Sequence, residues 1–497
     1  MTESRSISST AAGLLVFFTA GAVLVLEILA GRLMAPYVGV SLETYTGIIG
    51  VVLAGIALGT WLGGRAADAI DPRRLLGPLL LCGGALAMLS VPALAWLGPA
   101  AVGGGPAEIV TLALVAFFAP AAVLSAVAPT VVKLQLADLR VTGTVVGRLS
   151  ALGTAGAIVG TFVTGFVLLA AFPSRPIVLA VGAALGAAGL VLWLRFGHSR
   201  DVSLITFALA VAVAGAAVTV ATAANCHVET AYYCARIDID PARPSGRTLW
   251  LDQLRHSYVD LDEPAHLEFP YAQVFRDVID TAEPAGQPVR ALHIGGGGFT
   301  MPLYLRATRP GSQSVVLELD ARLVELAQQE LALETGPDLV VEVGDARVTL
   351  RHQPSATYDL VLGDAFGGLA VPWHLTTLEF LSEVRRVLQP DGVYLMNLID
   401  YEPLGFARAE LATLRAAFAH VAFVARPSRT GYEGGTFVLI ASDAAIDAAA
   451  LQAALASRAA GRVVVSDEQQ VEAFTASAPV LTDDYAPVDQ LISPPDF

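Results

Sequence analysis

Apolar residues run almost unbroken through positions 1–224, whereas from about 290 they come in short bursts separated by polar, helix-compatible stretches. The first pattern predicts membrane-spanning helices, because about 20 apolar residues cross the hydrocarbon core. Seven runs of that length lie near 11–31, 45–64, 75–97, 107–128, 149–171, 176–194 and 203–224. Arg5 makes only a weak positive region and further runs follow at once, so the first run reads as a span rather than a leader. The second pattern runs "VRALHI", "TMPLYLRA", "SVVLELD", "ARLVELAQQELA", "LVVEVGD", "YDLVLGD", "LEFLSEVRRVL", "GVYLMNLI". Strand-like bursts alternating with amphipathic helices predict a doubly wound α/β domain around a parallel sheet. The expected division is a multi-pass membrane domain at 1–224, a small β-rich part at 225–285 and the α/β domain at 286–497.

Composition sharpens this division. Over 497 residues the chain is 55% hydrophobic and 15% charged, well below the roughly 25% charge of soluble domains. Residues 1–224 hold 8 acidic and 11 basic residues, and the remainder 37 acidic and 19 basic. An acidic second half argues against nucleic acid as a partner, since a phosphate backbone demands a basic face. It is compatible with a cationic small substrate. Basic residues cluster in alternate loops: Arg65, Arg73 and Arg74, then Lys133, Arg140 and Arg148, then Arg195 and Arg200. The positive-inside rule places those loops in the cytoplasm, and seven spans would then put the second half outside.

Small residues four apart, as in "GIALG" and "GAIVG", read as close helix packing in lipid. Glu27 in "VLVLEILAGR" is an acid at membrane depth, either functional or paired with Arg32 or a neighbouring arginine. Cys226 and Cys234 flank "HVETAYY" just after the seventh run. In an oxidising compartment they suit a disulfide. Free thiols, or a metal site with His227, are the alternatives, although the spacing lacks the repeated paired ligands of a zinc site.

Ligands of doubly wound sheets bind at the carboxyl ends of the strands. There the first strand offers Gly295, Gly296, Gly297 and Gly298, whose backbone N–H groups can approach a ligand. The second ends in Glu318 and Asp320, 23 and 25 residues beyond Gly295, where an acid accepts hydrogen bonds from ribose hydroxyls. The third ends in Asp345 and Ala346, which can face an adenine edge, and the fourth in Asp364. Such a set predicts a nucleoside site with no metal. His256, His266, His293 and His374 show no ligand spacing, and Asp483 and Asp484 fit either a loop cap or a cation site.

At these residues the chain resembles the spermidine synthase family of aminopropyltransferases. That family's pattern runs LDG–x–x–Q, DE–x–x–Y–x–E, GGGDG, VEID, GDA and an aspartate closing the fourth strand. Here the same stretches read "LDQLRHS", "DEPAHLE", "GGGGF", "LELD", "GDA" and "GDAF". The chain is similar to the membrane-fused branch through "GRLMAP", "LAGIALGTWLGGRAAD", "YYCARI", "VPWHLTTLEF" and "LTDDYAPV". The resemblance implies a Rossmann-like fold of the class I methyltransferase type. It implies Glu318 on the ribose, Asp345 and Ala346 at the adenine, and Asp364 as the acid–base residue. Decarboxylated S-adenosylmethionine, or S-adenosylmethionine, would be a co-substrate rather than a resident cofactor, and an amine or polyamine the acceptor.

Departures fall on the acceptor side. The aspartate of GGGDG is Gly298 here, the glutamine after LDG is His256, and the tyrosine of DE–x–x–Y is His266, with Leu267 beside it. A further family glutamine falls at Ala235, and "DAFGG" replaces an aspartate–proline step. His256, His266 and Asp484 are the substrate-binding candidates that remain. Three functions follow as expectations. The first is aminopropyl transfer to an amine with release of methylthioadenosine. The second is methyl transfer from S-adenosylmethionine to a lipid or envelope substrate. The third is a catalytically silent membrane protein that binds nucleosides or polyamines.

Overall fold

The computed structural model describes residues 7–136, 139–196, 202–223, 225–368, 370–429, 431–458 and 461–493, without the side chains of 202–205 and 208. Arg5 and Arg200 lie outside these residues. The chain forms two compact units, Met1–Arg236 with Leu251–Leu254, and Ile237–Trp250 with Arg255–Phe497.

The first unit is a helical bundle. Helices α1 (Ser9–Val38), α2 (Leu42–Ala69), α3 (Pro72–Ala101), α4 (Pro106–Gln135), α5 (Leu139–Ala171) and α6 (Ser174–Phe196) are each long and apolar enough to cross a membrane. Six such helices occur among the described residues, where the apolar runs predicted seven. The seventh run forms α7 (Val202–Ala221), an apolar helix of 20 residues. The bundle is that of a multi-pass membrane protein. Its helices start where local chemistry lets them: Ser8, Ser41 and Asp71 each accept a first-turn N–H, and Pro72 sits where its missing N–H costs nothing.

Glycines bring the helices into backbone contact. A Cβ at Gly160 would fall 2.6 Å from the Gly21 carbonyl oxygen, and one at Gly55 would fall 2.9 Å from that of Phe118. The α1–α5 and α2–α4 seams therefore hold by dispersion at short range, which is the useful force in lipid.

Basic side chains tie one end of the bundle together. Lys133 pairs with Asp68 at 2.6 Å and Arg148 donates to the Ser9 carbonyl at 2.6 Å. At the other end Arg175, at the start of α6, donates to the carbonyls of Thr219 and Thr222, and Asn225 donates to the Tyr37 hydroxyl. Arg32 donates to the Thr230 carbonyl at 2.6 Å and to that of Tyr232. Its nearest acid is Glu229 rather than Glu27, and Glu229 in turn accepts from Ser174. These contacts hold a short loop closed by a Cys226–Cys234 disulfide.

After the bundle come β1 (Val228–Glu229), β2 (Cys234–Asp240), β3 (Arg243–Leu251) and β4 (Leu254–Asp260), a sheet in sequence order. Helix α8 (Pro270–Ala282) leads to a larger sheet. Its strands are β5 (Arg290–Ile294), β6 (Gln313–Glu318), β7 (Leu339–Val343), β8 (Tyr358–Gly363) and β9 (Leu388–Asp400). To these it adds β10 (His420–Ala425), β11 (Gly435–Ser442) and β12 (Val463–Val465), in the order β12-β10-β11-β9-β8-β5-β6-β7. Strands β5 to β9 pair in parallel, as the alternating pattern predicted. The last three pair antiparallel, an extension the sequence reading did not resolve.

Alternate residues of the inner strands feed two cores. Leu292, Val361, Tyr394 and Met396 pack with Phe380, Leu381 and Phe406 on one face. Ala291, Leu360, Leu362 and Leu395 pack with Phe275, Val278 and Leu305 on the other. Period-two alternation with both faces covered is what makes these strands read as continuous apolar runs. Each such Leu or Phe contributes about 1.5–3 kcal/mol by leaving water. Strand order reverses at β5, which lies between β6 and β8, and the crevice above that point is where this fold binds ligands.

Candidate active site

Because β5 and β8 are neighbours with Ile294 opposite Gly363, the residues that follow, Gly295 and Asp364, are brought side by side. The Asp364 N–H donates to the Ile294 carbonyl at 2.9 Å. A Cβ at Gly295 would stand 2.6 Å from the Asp364 carbonyl oxygen, and φ there is 91°. Glycine is thus required twice over at this position, for space and for backbone conformation. The turn continues through Gly297 at φ 51° to Phe299 at φ 59°, where helix α9 (Thr300–Thr308) begins. The final glycine of the family pattern GGGDG corresponds to Phe299, which keeps the left-handed backbone at a cost of about 1–2 kcal/mol. Its buried ring packs under the turn, 2.8 Å from where a Gly296 Cβ would lie.

Glu318 ends β6 and reaches back to this turn. One carboxyl oxygen accepts the Gly296 and Gly297 N–H groups at 2.7 and 3.2 Å, and the other accepts the Asp320 N–H at 2.9 Å. The residue is 7% exposed. Burial raises its pKa, and the three N–H donors oppose that rise. Asp320 caps helix α10 (Ala321–Glu330), accepting from Arg322 N–H at 3.0 Å. Asp345 caps the short helix α11 (Ala346–Thr349), accepting from Arg347 N–H at 2.8 Å, with His374 Nε2 at 3.5 Å. Ala346 is buried behind it.

Asp364 is held from both sides. The Tyr271 hydroxyl, at the start of α8, donates to Oδ2 at 2.8 Å, and Asn397 Nδ2, on β9, donates to Oδ1 at 2.9 Å. Burial raises the Asp364 pKa, while its two donors lower it. A small apolar cavity lined by Ile294, Gly363, Ala365, Val371, Tyr394 and Met396 borders the backbone on either side of the acid. Asn397 is 4% exposed, and its Oδ1 has no partner among the described residues. An unpaired buried acceptor costs about 1–3 kcal/mol.

The Ser257 side of the turn is crowded. At Gly298, where the family pattern has an aspartate, a Cβ would fall 2.6 Å from the Ser257 Cβ. The Ser257 hydroxyl accepts the Gly298 N–H at 3.0 Å and lies 2.9 Å from His256 Nδ1. His256 therefore packs against the glycine turn, and burial pushes its pKa down to about 4. His266 stands edge-on to Tyr258 and 3.5 Å from Glu268. Asp484 is exposed at the tip of a tight turn closed between Thr482 and Tyr485. Its neighbour Asp483 binds Arg347 and accepts from Thr377 at 2.7 Å. Among the described residues no group of three or more His, Cys, Asp or Glu is placed to hold a metal ion.

The structure thus brings together Gly295, Gly296, Gly297, Glu318, Asp364 and His256, and leaves His266 and Asp484 with other surroundings. Sequence reasoning missed Tyr271, Asn397, Ser257 and Arg347. Asn397 carried a signal, a polar side chain inside the apolar run "VYLMNLI". Tyr271 carried none, being 93 residues from Asp364.

No family model matches the chain. It is 32% identical over 147 residues to a polyamine aminopropyltransferase of Vibrio vulnificus, covering 29% of this chain and 48% of that one. It is 40% identical over 144 residues to polyamine aminopropyltransferase 2 of Streptomyces coelicolor, covering 27% and 26%. It is also 27% identical over 142 residues to the human eEF1A lysine and N-terminal methyltransferase, covering 26% and 20%. The chain spans about half, or less, of the length of these relatives. Among solved structures, a probable spermidine synthase from Corynebacterium glutamicum aligns with 29% identity and a TM-score of 0.48, covering 54% of this chain and 98% of that one. The chain is a remote homologue of the polyamine aminopropyltransferases, carrying in addition a bundle of long apolar helices.

Proposed function

We propose that the protein is a membrane-integral transferase that moves the aminopropyl group of decarboxylated S-adenosylmethionine to an amine. The observation that carries this reading is Asp364, held by Tyr271 and Asn397 beside a glycine turn whose other neighbour is the buried carboxylate of Glu318. Glu318 binds the ribose, and Asp345 and Ala346 lie at the adenine. The four glycine N–H groups, expected from the sequence to face the ligand, are instead taken by Leu317, Glu318 and Ser257. The acceptor arrives as an ammonium ion and gives a proton to Asp364. The freed lone pair then forms the N–C bond as the C–S bond breaks, its electrons going to sulfur. Methylthioadenosine leaves as a neutral thioether, so no further acid is needed.

Asp364→Asn tests the assignment. Turnover of every S-adenosyl donor should fall by 100-fold or more; survival of turnover removes Asp364 as the base. One observation favours methyl transfer instead: Gly298 and Ser257 leave no carboxylate where the family pattern has one, and an acid there would repel the carboxylate of intact S-adenosylmethionine. The product decides, methylthioadenosine for aminopropyl transfer and S-adenosylhomocysteine for methyl transfer.

The bundle would serve as the membrane domain of residues 1–224, followed by the β-rich part at 225–285 and the transferase domain at 286–497. A disulfide at the end of the bundle away from Lys133 and Arg148 supports an extracytoplasmic position for residues 226–234. Labelling of these cysteines in intact cells by an impermeant maleimide, after an impermeant reductant, is the expected result. Labelling only after lysis would reverse the topology.

A further inference from the structure

We infer that Asn397 selects an acceptor amine with at least two ammonium N–H hydrogens, primary or secondary rather than tertiary, its free amide oxygen holding one N–H of the nucleophile while Asp364 takes another as the proton lost. This rests on Asp364 being the base. Gly363 pairs with Met396 across β8 and β9, so Asp364 and Asn397 end adjacent strands next to each other. A carboxylate only accepts, so the amide must turn its nitrogen toward Asp364. That bond, at 2.9 Å, fixes where the amide oxygen can be. The oxygen is buried and has no partner among the described residues. A buried polar atom left open in this way beside a reacting group is matched by a ligand donor.

The hydrogen count then discriminates between acceptors. A primary ammonium carries three N–H bonds. One proton goes to Asp364, one N–H is held by the Asn397 oxygen, and the lone pair left behind faces the carbon under attack. A hydroxyl or thiol has a single hydrogen, which Asp364 consumes, leaving the Asn397 oxygen unmatched. A tertiary ammonium likewise carries a single hydrogen, which Asp364 consumes. Each Asp364 oxygen keeps one lone pair beyond its bond to Tyr271 or Asn397, so the acid can receive the proton without releasing either residue. The Asn397 oxygen is far too weak a base to take a proton itself. Asn397 is therefore a specificity-determining residue.

The test is calorimetric titration of 1,4-diaminobutane and of its N,N,N′,N′-tetramethyl analogue onto the full-length protein in detergent, saturated with methylthioadenosine. Wild type should prefer the primary diamine by tenfold or more. Asn397→Leu should reduce that preference to about threefold or less, with methylthioadenosine affinity unchanged within twofold. Asn397→Ser, whose hydroxyl is too short to reach, should do the same if the leucine variant does not fold. An unchanged preference in a folded variant overturns the role of Asn397 and leaves the amine transferase standing. If wild type binds neither diamine and releases no methylthioadenosine, the proposed function itself fails, and this inference with it.

Discussion

The two sides of the glycine turn are built differently. Toward Glu318, the turn's N–H groups meet a carboxylate that also accepts from Asp320, so donors and acceptors are matched within one short stretch of sheet edge. Toward Ser257, the turn meets a hydroxyl and a neutral imidazole, and Gly298 has no room for a side chain. The Glu318 side keeps the pattern found where a nucleoside's fixed ribose must be recognised. The Ser257 side has been refilled, so the missing aspartate is a packed replacement rather than a gap.

The largest test of this contrast is Asp364→Asn, expected to lower turnover by about 100- to 10,000-fold, the range for a positioned general base, read as nucleoside product over time. Glu318→Gln should weaken methylthioadenosine binding about 10- to 100-fold in a calorimetric titration, since hydrogen bonds to a charged group contribute about 1.5–3 kcal/mol. Equal loss of amine binding in that variant would blur the two sides. Gly298→Asp should not raise amine affinity and should destabilise the protein by about 1–3 kcal/mol through its clash with Ser257. A gain in amine affinity without loss of stability would mean that the acceptor side is open after all.

The smallest effect concerns His256. Its pKa falls from 6.5 to about 4 on folding, so the unfolded chain binds the proton more readily. The associated stability is complete above pH 6.5 and is lost as pH falls from 6.5 toward 4. Denaturant midpoints at pH 7 and pH 5 should differ by less in His256→Gln than in wild type. An equal difference would place the imidazole in water.

How legible this was depended on distance along the chain. The parallel strands and their polar ends, from Gly295 to Asp364, lie within 75 residues in which each apolar burst is followed by its ligand-facing group, so the donor side could be read in order. The partners of Asp364 come from α8 and from the middle of β9, and no spacing rule connects Tyr271 to an acid 93 residues away. The sequence put Asp345 at an adenine edge and Asp483 in a loop cap or cation site, yet Asp345 caps a helix and Asp483 binds Arg347. Short polar side chains serve turns and ligands with the same chemistry, and only neighbours distinguish the uses.

The glycine seams of the bundle limit what could permeate it. Where Gly160 meets Gly21 and Gly55 meets Phe118, main chains touch without intervening side chains. No lumen fits between surfaces in that register. A solute crossing the bilayer through this protein would have to travel along another helix pair, or separate helices that have no side chains to swing aside as a gate.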